Sequence, residues 1–235
     1  MSPQRAVILL SGGLDSATVL ALAVRRFDVY ALTVNYGQRH HLELDSARAI
    51  AAHYSTRISP RGGLMEHREI AMDLFGGSAL MSPHPLPHHP STNTPAIPCT
   101  YVPARNTILL SLALGWAEVL GAKAIFIGAN AVDYSGYPDC RPEFIEAYQQ
   151  VVRLGTKAGV ETNTAPVIHA PLIDLPKAAI ILMGQSMHVD YSLTTSCYDP
   201  TKEGACGVCD ACRIRLEGFS RAGIKDPVHY RSEKR

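Results

Sequence analysis

Ala6-Val-Ile-Leu-Leu10 runs without a break into Ser11-Gly-Gly-Leu-Asp-Ser16, and this stretch decides the fold. Five apolar residues in a row, with no polar alternation, read as a strand covered on both faces. The glycines end it, and Ser16 to Arg26 reads as the helix that follows. A strand, a glycine turn and a helix in that order put the turn at the sheet edge where open α/β folds bind ligands. Paired glycines let backbone approach an anion closely, the helix start offers unpaired N–H groups, and two serine hydroxyls add donors. Leu10, Ser11, Gly12, Gly13, Leu14, Asp15 and Ser16 are therefore the candidate phosphate cradle, with Asp15 and Ser16 as candidate catalytic residues. Asp15 would repel phosphate unless a Mg²⁺ ion intervenes or the residue works as a helix cap. A ligand-free glycine turn is the plainer alternative, but it leaves the coincidence of strand, glycines, hydroxyls and helix unexplained.

Outward from this motif, Val29 to Val34 reads as a second strand and Leu42 to Tyr54 as a second helix. Such βαβα alternation implies a doubly wound, mostly parallel sheet with helices on both faces. Between Gly76 and Pro103 lie seven prolines and two glycines, a composition that supports no packed element and reads as a long functional loop. Regular structure resumes with Asn106 to Leu120, an apolar helix expected to be buried, and with the strand Ala124 to Gly128. A polar loop from Asn130 to Arg141 leads into a helix near Pro142, where proline suits the first turn. Leu175 to Met187 reads as another helix. One domain spanning 1–235 is expected, with a small cysteine-bearing lobe at 190–220.

The glycine motif lacks the Gly-Lys-Ser/Thr of a Walker loop, so γ-phosphate transfer fits poorly. It resembles the SGGxDS loop of the PP-loop ATPases, the superfamily of GMP synthetase, NAD synthetase and tRNA-thiolating enzymes. That resemblance implies an adenine nucleotide alpha hydrolase-like fold and cleavage of ATP between its α and β phosphates to adenylate a substrate.

Lys and Arg number 22 against 21 Asp and Glu, a formal net charge of +1. No basic field of the kind that drives nucleic-acid binding is present, which points to small-molecule substrates. The N-terminal apolar run is too short for a signal sequence, no stretch has the length of a membrane span, and a cytoplasmic enzyme is expected.

Cys197, Cys206, Cys209 and Cys212 are spaced C-x8-C-x2-C-x2-C in a segment broken by Pro200, Gly204 and Gly207. Four thiolates this close can enclose a tetrahedral Zn²⁺ with no open position, which makes the expected zinc structural. Thiolates alone do not choose the metal, and an iron–sulfur cluster is the alternative. Cys99 and Cys140 lie apart and read as ordinary thiols. His84, His88 and His89 stand among prolines, and a solvated loop accounts for them.

With both motifs placed, the chain resembles the 7-cyano-7-deazaguanine synthase family of queuosine biosynthesis over nearly its whole length. The resemblance is carried by Ser11 to Ser16, Asn35-Tyr-Gly-Gln-Arg-His40, Tyr101-Val-Pro-Ala-Arg-Asn106, Asp133-Tyr-Ser-Gly-Tyr-Pro-Asp-Cys-Arg141, Pro171-Leu with Lys177, and the cysteine set. One departure is Ala104, where the family usually has Gly. The resemblance implies ATP with Mg²⁺, ammonia and 7-carboxy-7-deazaguanine as substrates, and a homodimer.

The implied substrate presents adjacent N–H donors that a carboxylate accepts in bidentate fashion, which makes Asp133 and Asp139 the candidates for its guanine-like edge. Tyr134 and Tyr137 could stack on the ring, and Arg141 could hold the carboxylate or phosphate charge. Arg105 and Lys177 are the candidate catalytic cations beside the phosphates. Gln38, Arg39 and His40 could wall the pocket. The implied chemistry is adenylation, displacement of AMP by ammonia to give an amide, and a second adenylation that yields the nitrile. Rival readings are an amide-forming PP-loop synthetase, a tRNA-modifying PP-loop enzyme, and a zinc-ribbon interaction module that leaves the phosphate loop unexplained.

Overall fold

The computed structural model describes residues 3–37, 42–57, 59–81, 97–133, 136–201 and 203–231. At its centre lies β1 (Gln4–Leu9), paired in parallel with β2 (Phe27–Asn35) on one side and β4 (Ala124–Phe126) on the other. Outside these run β3 (Gly63–Ala71) and β5 (Val167–His169), both parallel, giving the order β3-β2-β1-β4-β5. The chain therefore winds outward in one direction to β3 and then crosses β1 to start again at β4. Ligands of doubly wound sheets lie where the winding reverses, outside the carboxyl ends of the two strands. Here that place is bounded by Ser11 and by Gly128.

The unbroken apolar run of β1 has the physical cause expected of it. Ala6, Ile8 and Leu10 pack on one face with residues of α1 (Leu14–Ala23), α2 (Leu42–Ser55) and α6 (Lys177–Ser186). Val7 and Leu9 pack on the other with α3 (Arg105–Leu120) and α4 (Pro142–Gly155). Successive side chains of a strand point to opposite faces, so a strand covered on both sides must be apolar at every position. The same logic buries the three residues of β4, each no more than 5% exposed.

Several elements depart from the sequence-based expectations. α3 buries only one stripe, through Asn106, Leu110, Ala113, Trp116 and Ala117, while Val119 is 84% exposed. An apolar composition does not make a helix central when just one of its sides meets the sheet. β3, β5 and α5 (Lys157–Thr162) were not legible, because β3 buries only its first two residues and carries charges, and the other two are short. The cysteine segment is not all loop either, since α7 (Asp210–Arg221) begins directly after Cys209 and contains Cys212. Of the proline-rich stretch, Ala79–Met81 forms a 3₁₀ turn and Val102 is buried. His84, His88 and His89 lie outside the described residues, as do Gln38, Arg39, His40 and Tyr134.

Candidate active site

The candidate phosphate loop is built by Ser16, whose buried Oγ ties both ends of the turn together. It accepts from the Ser11 N–H at 3.2 Å and lies 3.1 Å from the Ser11 hydroxyl, and it donates to the Gly13 carbonyl at 3.0 Å. Gly13 is the N-cap of α1 and makes no side-chain capping bond. The first N–H groups of α1 are thus free of a side-chain acceptor, which is the arrangement an anion completes.

Gly12 has a φ of +87°, and a Cβ there would stand 2.1 Å from the Glu43 carbonyl oxygen. Only glycine lets α2 rest its first turn on the loop. From the other side, a Cβ on Gly128 would meet the Ser16 N at 3.1 Å, so the end of β4 also presses on the loop.

Asp15 does not act as a cap. Its two carboxylate oxygens accept hydrogen bonds from Lys177 Nζ at 2.7 and 2.8 Å. Lys177 is 8% exposed and has a second carboxylate, Asp133, 3.0 Å away. The negative charge of Asp15 is therefore balanced inside the protein by a lysine that arrives 162 residues later in the chain. Asp133 Oδ2 is buried and, despite its closeness to Lys177, has no aligned hydrogen-bond donor among the described residues.

Asp139 takes a different place. Its Oδ2 accepts from the Asn106 N–H at 2.9 Å, and the Asn106 amide donates to the Asp139 carbonyl at 2.9 Å. It thereby serves as the acceptor at the start of α3, where Ala104 in the left-handed region (φ 54°) offers none. That backbone conformation is a physical reason for glycine at position 104.

A cleft of about 230 Å³ opens over the loop, lined by Leu10, Ser11, Gly13, Leu14, Asp15 and Ser16 at its floor. Leu32, Thr33 and Val34 border it on one side, Tyr36, Glu43 and Arg105 on another, and Gly128, Asn130, Tyr137 and Cys140 on a third. Of the residues expected from sequence, Arg105 and Tyr137 reach the cleft. Lys177, Asp133 and Asp139 are not among its lining residues, and Arg141 is exposed on the start of α4. The Tyr137 hydroxyl lies 2.6 Å from that of Thr100, which fixes its ring. Burial pushes the Cys140 thiol up to about 11, and the adjacent Asp139 adds to this, so it is a neutral wall residue and not a nucleophile.

Tyr36 and Glu43 were missed by sequence reasoning as individual groups. Tyr36 lies inside a quoted motif, but an acidic residue in the first turn of α2 reads as ordinary dipole compensation. In the structure Glu43 is half-buried, and desolvation raises its carboxyl to about 7 against the opposing charge of Arg105.

The remaining wall, Thr195 to Tyr198, belongs to the cysteine lobe. Thr195 donates its N–H to the Gly12 carbonyl at 3.0 Å, and its hydroxyl lies 2.7 Å from that of Ser46. The sulfurs of Cys197, Cys206, Cys209 and Cys212 all lie within 4.8 Å of one another, with Cys206 and Cys212 at 3.9 Å. Zinc–sulfur bonds of about 2.3 Å at tetrahedral angles put sulfurs about 3.8 Å apart, so the set fits one ion. N–H groups of Asp199 and Cys206 point at Cys197 Sγ, that of Tyr198 at Cys209 and that of Cys209 at Cys206, as thiolate ligands require.

No helix among the described residues is long and apolar enough to cross a membrane. Residues 5–223 match the family described as "Queuosine biosynthesis protein QueC". Among curated relatives, the 7-cyano-7-deazaguanine synthase of Syntrophotalea carbinolica is 56% identical over 98% of both chains. That of Methylococcus capsulatus is 56% identical over 97% of this chain and 99% of its own. Among solved structures, an NMN synthetase from Francisella tularensis is similar over 95% of this chain and 79% of its own, at 17% identity and a TM-score of 0.43. The chain belongs to the QueC family of queuosine biosynthesis.

Proposed function

We propose that this chain is an ATP-dependent carbon–nitrogen ligase that converts 7-carboxy-7-deazaguanine and ammonia into 7-cyano-7-deazaguanine, releasing AMP and pyrophosphate. The observation that carries the chemistry is the uncapped start of α1 beneath the Ser16-tied loop, at the point where the winding of the sheet reverses. No lysine occupies the Walker position in that loop, and Arg105 is a cation on the cleft wall. A carboxylate is a poor electrophile until its oxygen becomes a leaving group, and attack on the α-phosphorus achieves that. Arg105 would then balance charge on the phosphates, together with Mg²⁺ bound to ATP. Ammonia displaces AMP, and a second adenylation of the amide in the same cleft leads to the nitrile. No covalent enzyme intermediate is needed, in keeping with the raised Cys140 thiol.

The test is product analysis. Mass spectrometry of a reaction containing the acid, ammonia and ATP should give the nitrile, and nucleotide chromatography should give AMP in step with it. Accumulation of ADP, or a product that stops at the amide, would overturn this reading.

Zinc, one per chain, is the proposed ion of the four cysteines. Its role there is structural, because all four tetrahedral positions are filled by protein. A homodimer and a cytoplasmic location are proposed on the strength of family membership.

For the guanine-like edge, Asp133 is the better of the two aspartates, because its Oδ2, although ion-paired with Lys177, has no aligned donor among the described residues, whereas Asp139 is committed to Asn106. Asn at 133 would turn an amide donor toward the ligand's own N–H groups. Loss of a charge-assisted pair should cost about 2 to 4 kcal/mol, a roughly thirty- to thousand-fold fall in kcat/KM. Steady-state kinetics of Asp133→Asn decide this, and a near-normal kcat/KM places the base pocket elsewhere.

A further inference from the structure

The proposed reaction leaves one requirement unmet, and the inference drawn from it rests on that reading. Ammonia brings three N–H protons, and the nitrile keeps none. The first leaves as the C–N bond forms and the C–O bond to AMP breaks. The second leaves when the amide oxygen attacks the second α-phosphorus and pyrophosphate departs. The third leaves as the remaining C–O bond breaks, AMP taking that electron pair while the N–H pair becomes the third C–N bond. Each of these steps needs an acceptor in the same place.

Among the described residues, few groups on the cleft wall can serve. Asp15 is held by two hydrogen bonds from Lys177, Arg105 is a permanent cation, and the Cys140 thiol is raised by burial. Tyr36 and Tyr137 are likewise raised by burial, which leaves them protonated near neutral pH. Glu43 remains. It lines the cleft, its main chain rests on Gly12 of the phosphate loop, and its carboxylate makes no hydrogen bond or ion pair among the described residues.

We propose that Glu43 is the general base that takes the protons of the incoming nitrogen and returns them to solvent through the mouth of the cleft. Placement next to Arg105 puts it at the charged, reacting end of the substrate and away from the guanine-like edge. Its carboxyl, raised to about 7, is matched to proton transfer near neutral pH. Among the described residues, the ionisable groups that act on it are Arg105 of α3 and Tyr36 after β2.

Adenylation needs no ammonia, so it can be read separately by acid-dependent exchange of labelled pyrophosphate into ATP. Wild-type protein without such exchange would sink the function proposed above and leave the base question moot for this substrate. With exchange established, Glu43→Gln should keep it within about threefold while nitrile formation falls on the order of a hundredfold. The acid limb near pH 7 in the wild-type rate profile should vanish in the variant. At pH 8 its melting temperature should equal or exceed that of the wild type, because a partly desolvated charge has been removed. Should Glu43→Gln prove insoluble, Glu43→Asp carries the same test with about a tenfold loss. Nitrile formation at the wild-type rate, or a loss of exchange in proportion to nitrile, overturns the proposal; the second result would assign Glu43 to substrate binding.

Discussion

Cys209→Ser is expected to lower the melting temperature by on the order of 10 °C and to reduce bound metal from about one ion per chain to a small fraction. Structural zinc contributes about 10 kcal/mol or more of apparent folding energy in small domains, and a site with three thiolates keeps only part of it. For a chain of this size, each kcal/mol is worth roughly 2–4 °C. The loss falls on a lobe whose buried cluster consists of the four cysteines and Ala211, flanked by Tyr198, Ala205, Val208 and Tyr230. Without the ion little else holds it.

From spacing alone such a change would affect stability and spare chemistry. The structure alters that expectation, because Cys197 itself lines the cleft and Thr195 is bonded to Gly12 of the phosphate loop. ATP affinity should therefore fall together with metal content. Elemental analysis, calorimetry and nucleotide titration check the three parts. Iron in place of zinc would assign a cluster, and a fully stable metal-free variant would remove the structural role.

Lys177→Met should be the most damaging single change outside the cysteines. It would leave Asp15 and Asp133 facing one another, both mostly buried, across the space of the lost cation. Removing one partner of a buried ion pair costs about 3–5 kcal/mol, because the remaining charge is stranded. Here two carboxylates are stranded, and Asp15 would turn its charge on the phosphate site. Urea unfolding should report the loss, and acid-dependent pyrophosphate exchange should fall below detection.

The double variant Lys177→Met with Asp133→Asn should regain roughly 1–3 kcal/mol, since neighbours that share a partner are not additive. A loss under about 1 kcal/mol in the single variant would mean that the triad is solvated and contributes little. A sequence contains no hint of this pairing. Lys177 opens α6, where an isolated lysine reads as a surface charge, and its 162-residue separation from Asp15 is closed only by packing α6 on α1.

What the sequence determined by itself is local and periodic. The apolar run of β1, the glycine pair and the helix behind it determine the strand–turn–helix that forms the candidate phosphate loop, because each follows from backbone sterics and the two-face burial of a parallel strand. The cysteine spacing likewise determines a closed ligand set, as short spacers leave four thiols few other ways to lie. The tertiary structure alone decided which carboxylates are spent. Asp133 and Asp139 stand six positions apart in one motif, and composition makes them equivalent. Folding sends one to Lys177 and the other to the start of α3. It also decided that Glu43 stands beside Arg105, and that the cysteine lobe forms a wall of the cleft. These are contacts between residues distant in the chain, set by how layers stack on the sheet, and no local pattern of residue types encodes them.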